Sequence, residues 1–172
     1  MASTSSPSLW RGVFELGYVT NDIEYTVERF RQTHGFTGFA INQGTTAYQS
    51  AAGEIIVGTQ IALGYVDQTL VEIIQPDDWS TPNIYTDFFN LPPLSRPFAR
   101  FHHLGFDLGD EQAFAQARTV LIDNANAPII GEMNGGGIRC LYQDDRETSG
   151  HLNAYMTMSD EVRSYMQSLP RN

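Results

Sequence analysis

The chain has 172 residues, enough for one ordinary domain or for two small halves that share a core. Its formal net charge of −10 argues against nucleic acid and against an anionic membrane surface as partners. The single cysteine, Cys140, excludes an internal disulfide and a zinc site built from several thiolates. No apolar run is long enough to cross a bilayer. We expect a disordered tail over residues 1–9, no secretory signal and a cytoplasmic protein.

The first half of the chain predicts a strand, a helix and three further strands. The first strand is expected at residues 12–19, where alternate side chains share a face. A helix capped by Asn21 or Asp22 follows and ends at Gly35. The other strands are expected at residues 35–42, 54–66 and 68–75, with Tyr48 in an added edge segment.

A linker and a second copy of the same pattern come next. Five prolines from Pro76 to Pro97, with both ends included, predict a linker over residues 77–99, with a short helix near residues 83–90. The pattern restarts with a strand, a helix that begins at Asp110 and three strands; the strands are expected at residues 100–108, 127–133, 138–143 and 152–157. We therefore predict two modules, residues 10–76 and 100–158, followed by a helical C-terminal segment at residues 159–172.

A short repeat connects the two halves. Glu-Leu-Gly-Tyr at residues 15–18 reappears as His-Leu-Gly-Phe at residues 103–106, an offset of 88 residues (103 minus 15). Asp22 and Asp110 share the same offset, and each begins a stretch of helical character. Such self-similarity indicates two copies of one structural unit. The repeat places Glu15 and His103 at equivalent positions.

Two carboxylates and one histidine are the candidates for chemistry. The two-residue period puts Glu15 on the face of its strand opposite the aromatic residues, and Glu72 is placed inward by the same argument. Buried carboxylates are costly unless they are paired, protonated or bound to metal. Glu15, Glu72 and His103 therefore suggest metal binding or proton transfer. The alternative is that the two acids are solvated carboxylates on an exposed rim of the sheet. His102 is expected to point the other way as a structural histidine.

Four further residues are candidates for contact with a substrate. Tyr142 and Arg146 are suited to an anionic or carbonyl group, and Trp79 and Phe88 to the wall of an apolar pocket. Each also has a purely structural interpretation, because an arginine in a turn is often solvated and aromatic residues often pack between modules.

Four segments resemble the vicinal oxygen chelate superfamily of glyoxalases, bleomycin-resistance proteins and extradiol dioxygenases. They are residues 16–22, 71–76, 101–106 and 142–151, and together they resemble the branch that includes methylmalonyl-CoA epimerase. The resemblance implies an α+β fold, in which two tandem βαβββ modules form a curved mixed sheet around a pocket. It also implies a divalent metal there (Fe, Mn, Zn, Mg or Co), a small-molecule substrate and a homodimer.

The resemblance further implies four metal-ligand positions. His103 matches its position, Glu72 is an accepted ligand, Glu15 replaces a common histidine, and Ala154 stands where glutamate is usual. Because alanine has no donor atom, the usual set is incomplete. We expect an isomerase, epimerase or lyase that moves a proton next to a carbonyl of an apolar substrate, with CoA esters and acids included. The alternatives are a non-catalytic protein that sequesters a small molecule and, with less support, a ring-cleaving dioxygenase.

Overall fold

The computed structural model describes residues 12–87, 96–122 and 127–172, so the tail predicted at residues 1–9 lies outside the described residues. Eight strands and three helices follow one another in the pattern βαβββ, βαβββ, α. They are β1 (Val13–Thr20), α1 (Ile23–His34), β2 (Ala40–Ser50), β3 (Gly53–Val66), β4 (Thr69–Pro76), β5 (Ala99–Asp107), α2 (Glu111–Ile122), β6 (Ile129–Gly135), β7 (Ile138–Asp144), β8 (Leu152–Met158) and α3 (Asp160–Gln167).

All eight strands form one closed barrel in the order β1-β4-β3-β2-β6-β7-β8-β5. Strand β1 runs parallel to β4 and β5 runs parallel to β8, while the other neighbours are antiparallel. The two halves meet where β1 pairs with β5 and where β2 pairs with β6. The second seam is short, with Tyr48 opposite Met133 and Gln49 opposite Glu132. The predicted α+β fold with a curved mixed sheet is confirmed, and the curvature closes the sheet into a barrel.

The helices cover the outside of the barrel. The side chain of Asp22 accepts a hydrogen bond from the Tyr25 N–H and so begins α1, which ends at Gly35 in a left-handed conformation, φ 73°. The buried face of α1 packs against β3 and β4, and that of α2 packs against β5, β7 and β8. No helix in the described ranges is long and apolar enough to cross a membrane.

Strand side chains and part of the linker fill the inside of the barrel. Ile84 and Tyr85 join the interior core, and the Ile84 N–H donates a 2.8 Å hydrogen bond to the Tyr48 hydroxyl. The Asn83 side chain accepts from the two following backbone N–H groups of residues 85 and 86. The predicted short helix is therefore a turn as far as residue 87, and its remainder lies outside the described residues.

The position of β2 differs from the prediction. The predicted strand at residues 35–42 is wrong, because β2 runs from Ala40 to Ser50 and pairs along its whole length with β3. Most of its side chains are exposed and polar, so the strand has no alternating apolar pattern to reveal it. Pairing with β3 in a long hairpin therefore determines this strand, and a local apolar pattern does not.

Candidate active site

Glu15, Glu72 and His103 converge inside the barrel. One ligand atom from each lies within 4.8 Å of the others. Nε2 of His103 is 3.0 Å from Oε1 of Glu15 and 3.5 Å from Oε2 of Glu72. The side chains of Glu15 and His103 are almost fully buried, whereas that of Glu72 is 17% exposed. The three predicted residues thus form one cluster, and their chemical roles stay predictions.

The strand order explains the convergence. Strand β1 lies between β4 and β5, and Gly17 of β1 is opposite both Glu72 and His103. Glu15 is two residues earlier on the same face of β1, opposite Gly105 of β5. Three neighbouring strands therefore each contribute one inward side chain at the same height of the barrel.

The glycines of the repeat make room for this arrangement. A Cβ atom at Gly17 would lie 2.0 Å from Cε1 of His103, and a Cβ atom at Gly105 would lie 2.6 Å from Cβ of Glu15. Each copy of the repeat thus places its first residue over the glycine of the other copy. Any larger residue at either glycine collides with a cluster side chain.

A β-bulge changes the direction of His102. His103 is opposite Gly17 and Phe101 is opposite Tyr18, so His102 is an extra residue in β5. The extra residue turns its ring inward, 5.6 Å from the Tyr85 ring and 5.2 Å from the His103 ring, between ring centroids. The expectation that His102 points away from the cluster is wrong, because strand parity fails at a bulge.

Burial controls the charge of the cluster. Burial raises the pKa of Glu15 to about 7. It also raises the pKa of Glu72 to about 8, with a further increase from the charge of Glu15 and an opposing effect of His103. Burial lowers the pKa of His103, and the nearby Glu72 carboxylate opposes this shift. The two carboxyl groups are therefore protonated to a large extent near neutral pH, unless a bound cation displaces the protons.

Two buried tyrosines form the wall beside the cluster. The Tyr142 ring lies edge-on to His103, with 5.8 Å between ring centroids. Tyr85, Tyr142 and Cys140 belong to the same buried interior core. Burial raises the pKa of both tyrosines, so their hydroxyl groups stay neutral. Sequence analysis missed Tyr85 because it lies in the linker, where only the aromatic composition pointed to packing.

Solved structures share this fold over most of the chain. Methylmalonyl-CoA epimerase from Mycobacterium tuberculosis is 16% identical, with a TM-score of 0.55 over 95% of this chain and 97% of that chain. A methylmalonyl-CoA epimerase in complex with methylmalonyl-CoA and NH4+ is 16% identical, with a TM-score of 0.56 over 87% and 95%. A hypothetical protein from Bacillus halodurans is 12% identical, with a TM-score of 0.53 over 86% and 94%. No protein-family description matches the sequence, and no curated protein sequence matches it.

The chain has the vicinal oxygen chelate fold. The resemblance to the methylmalonyl-CoA epimerase branch, inferred from four short segments, is confirmed for the fold.

In this fold, β8 offers no donor atom at the position where the family resemblance implies a further metal ligand. Ala154 is fully buried on the inner face, opposite Gly105 of β5 and Tyr142 of β7. Its side chain belongs to the interior core and carries no donor atom. The ligand set that the described residues offer is therefore Glu15, Glu72 and His103.

The other predicted substrate residues lie at different distances from the cluster. The guanidinium group of Arg146 donates two hydrogen bonds to Asp144, and Arg146 lines a largely apolar cavity of about 510 Å³, together with Ile84 and Leu152. Trp79 packs edge-on against Phe98, 5.5 Å between ring centroids, at the border of the interior core. Phe88 lies outside the described residues. Of the three that the structure describes, Tyr142 is the one in ring contact with a cluster residue.

Proposed function

We propose that the protein is a metal-dependent enzyme that transfers a proton at the carbon next to a carbonyl group, as isomerases, epimerases and lyases do. One observation carries the proposal: two carboxylates and an imidazole meet within 4.8 Å inside the barrel. Their pKa values of about 7 and 8 for Glu15 and Glu72 suit the exchange of protons near neutral pH. The epimerase-type fold supports the same class of reaction.

The donor set fits a divalent ion. Two carboxylate oxygens and one imidazole nitrogen suit Fe(II), Mn(II), Co(II) or Zn(II), and Mg(II) is compatible with the two acids. Three protein ligands leave positions for a substrate, as in catalytic rather than structural sites. A bound ion would polarise the substrate carbonyl and stabilise the negative charge that develops on its oxygen during deprotonation.

The chain's own residues divide the remaining tasks. Glu72 is the cluster side chain with the largest exposed fraction, so we assign it the transfer of the substrate proton. One carboxylate oxygen of Glu72 can bind the ion, and the second oxygen can accept the substrate proton. Glu15 and His103 form the fixed, buried pair. The neutral hydroxyl of Tyr142 can donate a hydrogen bond to a substrate oxygen, and its ring helps to exclude water.

The cavity lined by Ile84 and Leu152 suggests the kind of substrate. Its lining is mainly apolar and does not include the cluster residues; Leu152 is paired with His103 in the sheet, and the Ile84 carbonyl is hydrogen-bonded to His102. Among the described residues of this lining, Arg146 is the cation, and it is hydrogen-bonded to Asp144, while Asp87 adds a negative charge. These features favour a neutral, apolar carbonyl compound over a substrate that carries several phosphates.

Ion binding and proton exchange test the proposal. Protein freed of metal with a chelator is titrated with Mn2+, Fe2+, Co2+, Zn2+ and Mg2+ by calorimetry. It is then incubated in D2O with ketones, aldehydes and acyl thioesters, including methylmalonyl-CoA, while NMR follows exchange at the carbon next to the carbonyl. We expect one ion per chain, exchange with at least one compound, and loss of exchange in Glu72→Gln.

Glu54→Gln is the matched control, since Glu54 is an exposed acid on β3. Proton exchange that survives in Glu72→Gln, or the absence of both ion binding and exchange in the wild type, would refute the proposal.

A small-molecule binding protein is the second candidate. Ala154 removes the usual fourth ligand, and Ile84 and Tyr85 occupy the interior beside the cluster. A binder would retain a compound in the apolar cavity without metal and without proton exchange, and mass spectrometry of the purified protein would identify that compound. The predicted homodimer and cytoplasmic location stay predictions.

A further inference from the structure

The hydrogen bonds of His102 have a defined direction. Its Nε2 is 3.0 Å from the Ile84 carbonyl oxygen, which can only accept, so Nε2 carries a proton and donates. Its Nδ1 is 3.0 Å from Nδ1 of His103. His102 is fully buried, where a charged ring would be costly, so the ring is neutral and its Nδ1 accepts. His103 must therefore donate from Nδ1.

This direction determines which nitrogen of His103 is available to the acids. With Nδ1 protonated, a neutral His103 presents the lone pair of Nε2 to Glu15 and Glu72, at 3.0 and 3.5 Å. The 3.0 Å contact with Glu15 then contains one proton, which is either on the Glu15 carboxyl group or on Nε2 of His103. In both cases Nδ1 of His103 stays protonated.

We infer that His102 is a positioning residue, which holds His103 in the Nδ1–H tautomer and aims its Nε2 lone pair at the two carboxylates. The bulge in β5 turns the His102 ring toward His103 and so brings it into this position. Because Ile84 is held by the Tyr48 hydroxyl, the relay from Ile84 through His102 to His103 is anchored on the wall of the barrel. Metal-binding histidines commonly donate their second N–H to an acceptor that fixes the tautomer, and here a neutral histidine acts as that acceptor.

The use of this tautomer for an ion depends on the proposed function, but the tautomer itself does not. NMR of metal-free, 15N-labelled protein at pH 6.0–6.5 tests it directly through the long-range couplings of the His103 ring. We expect protonated Nδ1 on His103 and a neutral Nε2–H ring for His102. A His103 ring protonated on Nε2 alone would overturn the inference, and this measurement on the wild type requires no variant to fold.

Two variants separate positioning from packing. His102→Leu removes the hydrogen bonds to Ile84 and His103, and His102→Gln keeps an acceptor and a donor on one side chain. We expect Nε2 of His103 to become the protonated nitrogen in the leucine variant and Nδ1 to stay protonated in the glutamine variant. His151→Leu is the control, because His151 is also buried and bonds the carbonyl of Leu152.

The affinity for Mn2+ supplies the second measurement. We expect a loss of roughly 10- to 100-fold in His102→Leu, the usual effect of removing such a partner, and recovery to within a few-fold in His102→Gln. An equal loss in His151→Leu, or an unchanged His103 tautomer in His102→Leu, would contradict the inference. If the wild type binds no Mn2+, the metal proposal fails while the tautomer result still decides the role of His102.

Discussion

Alanine at position 17 should disrupt the cluster, although Gly17 has no donor atom. The new Cβ would lie 2.0 Å from Cε1 of His103, whereas ordinary contacts begin near 3.4 Å. The ring would have to move by the difference, about 1.4 Å. His103 is fully buried and makes hydrogen bonds of 3.0 Å at both ring nitrogens, so a displacement of this size breaks them.

The expected effects follow from this displacement. Overpacking a buried site costs roughly 1–3 kcal/mol of folding free energy. A ligand displaced by about 1 Å should weaken ion binding or proton transfer by ~100-fold. Gly105→Ala should have a smaller effect, because its Cβ would lie 2.6 Å from Cβ of Glu15 and the required shift is about 0.8 Å.

Urea denaturation and Mn2+ calorimetry measure the two effects. Gly44→Ala is the matched control, since Gly44 is also in a strand and an added Cβ meets nothing within 4 Å. Wild-type Mn2+ affinity in a folded Gly17→Ala variant would show that the close approach of His103 to β1 is not required, and the explanation of the repeat would be wrong.

Three further predictions concern protons. The metal-free protein should lose stability as pH rises from about 5 to 8, because Glu15 and Glu72 keep protons up to about 7 and 8 when folded but release them near 4.5 when unfolded. Urea denaturation across this range should show a shallower decline for Glu72→Gln, and a wild-type slope in that variant would contradict the assigned pKa. Affinity for Mn2+ should rise with pH up to about 8, since the ion displaces these protons. Calorimetry in buffers of different ionisation enthalpy should detect the release of protons, and a pH-independent affinity would argue against these ligands. Tyr142→Phe should slow proton exchange by ~100-fold with little change in Mn2+ affinity, because it removes a donor to the substrate and no ligand; equal exchange rates would exclude that role.

The sequence predicted the parts of the site that depend on strand periodicity and on the repeat. The two-residue period placed Glu15 and Glu72 on the inner face, and both lie there. The offset of 88 residues made Glu15 and His103 equivalent, and the structure joins them by a direct contact of 3.0 Å. These inferences are robust because the period of a regular strand is fixed by backbone geometry.

The parts that could not be predicted depend on irregular backbone and on long-range pairing. The bulge at His102 shifts the parity of β5 by one residue, and a pair of adjacent histidines gives no sign of it. The place of Tyr85 beside the cluster depends on how the linker folds back into the barrel. The closure of the sheet depends on a short seam at Tyr48 and Gln49, which no local pattern indicates.

The reciprocal placement of Glu15 and His103 over the opposite glycines has a consequence for how such a site can vary. In two identical subunits related by a twofold axis, the residues two positions before the two glycines would be the same, and the centre would be symmetric. With both copies in one polypeptide, each position can mutate alone. Glu15 and His103 occupy these two positions here, so the two copies present different groups, and an acid faces a base.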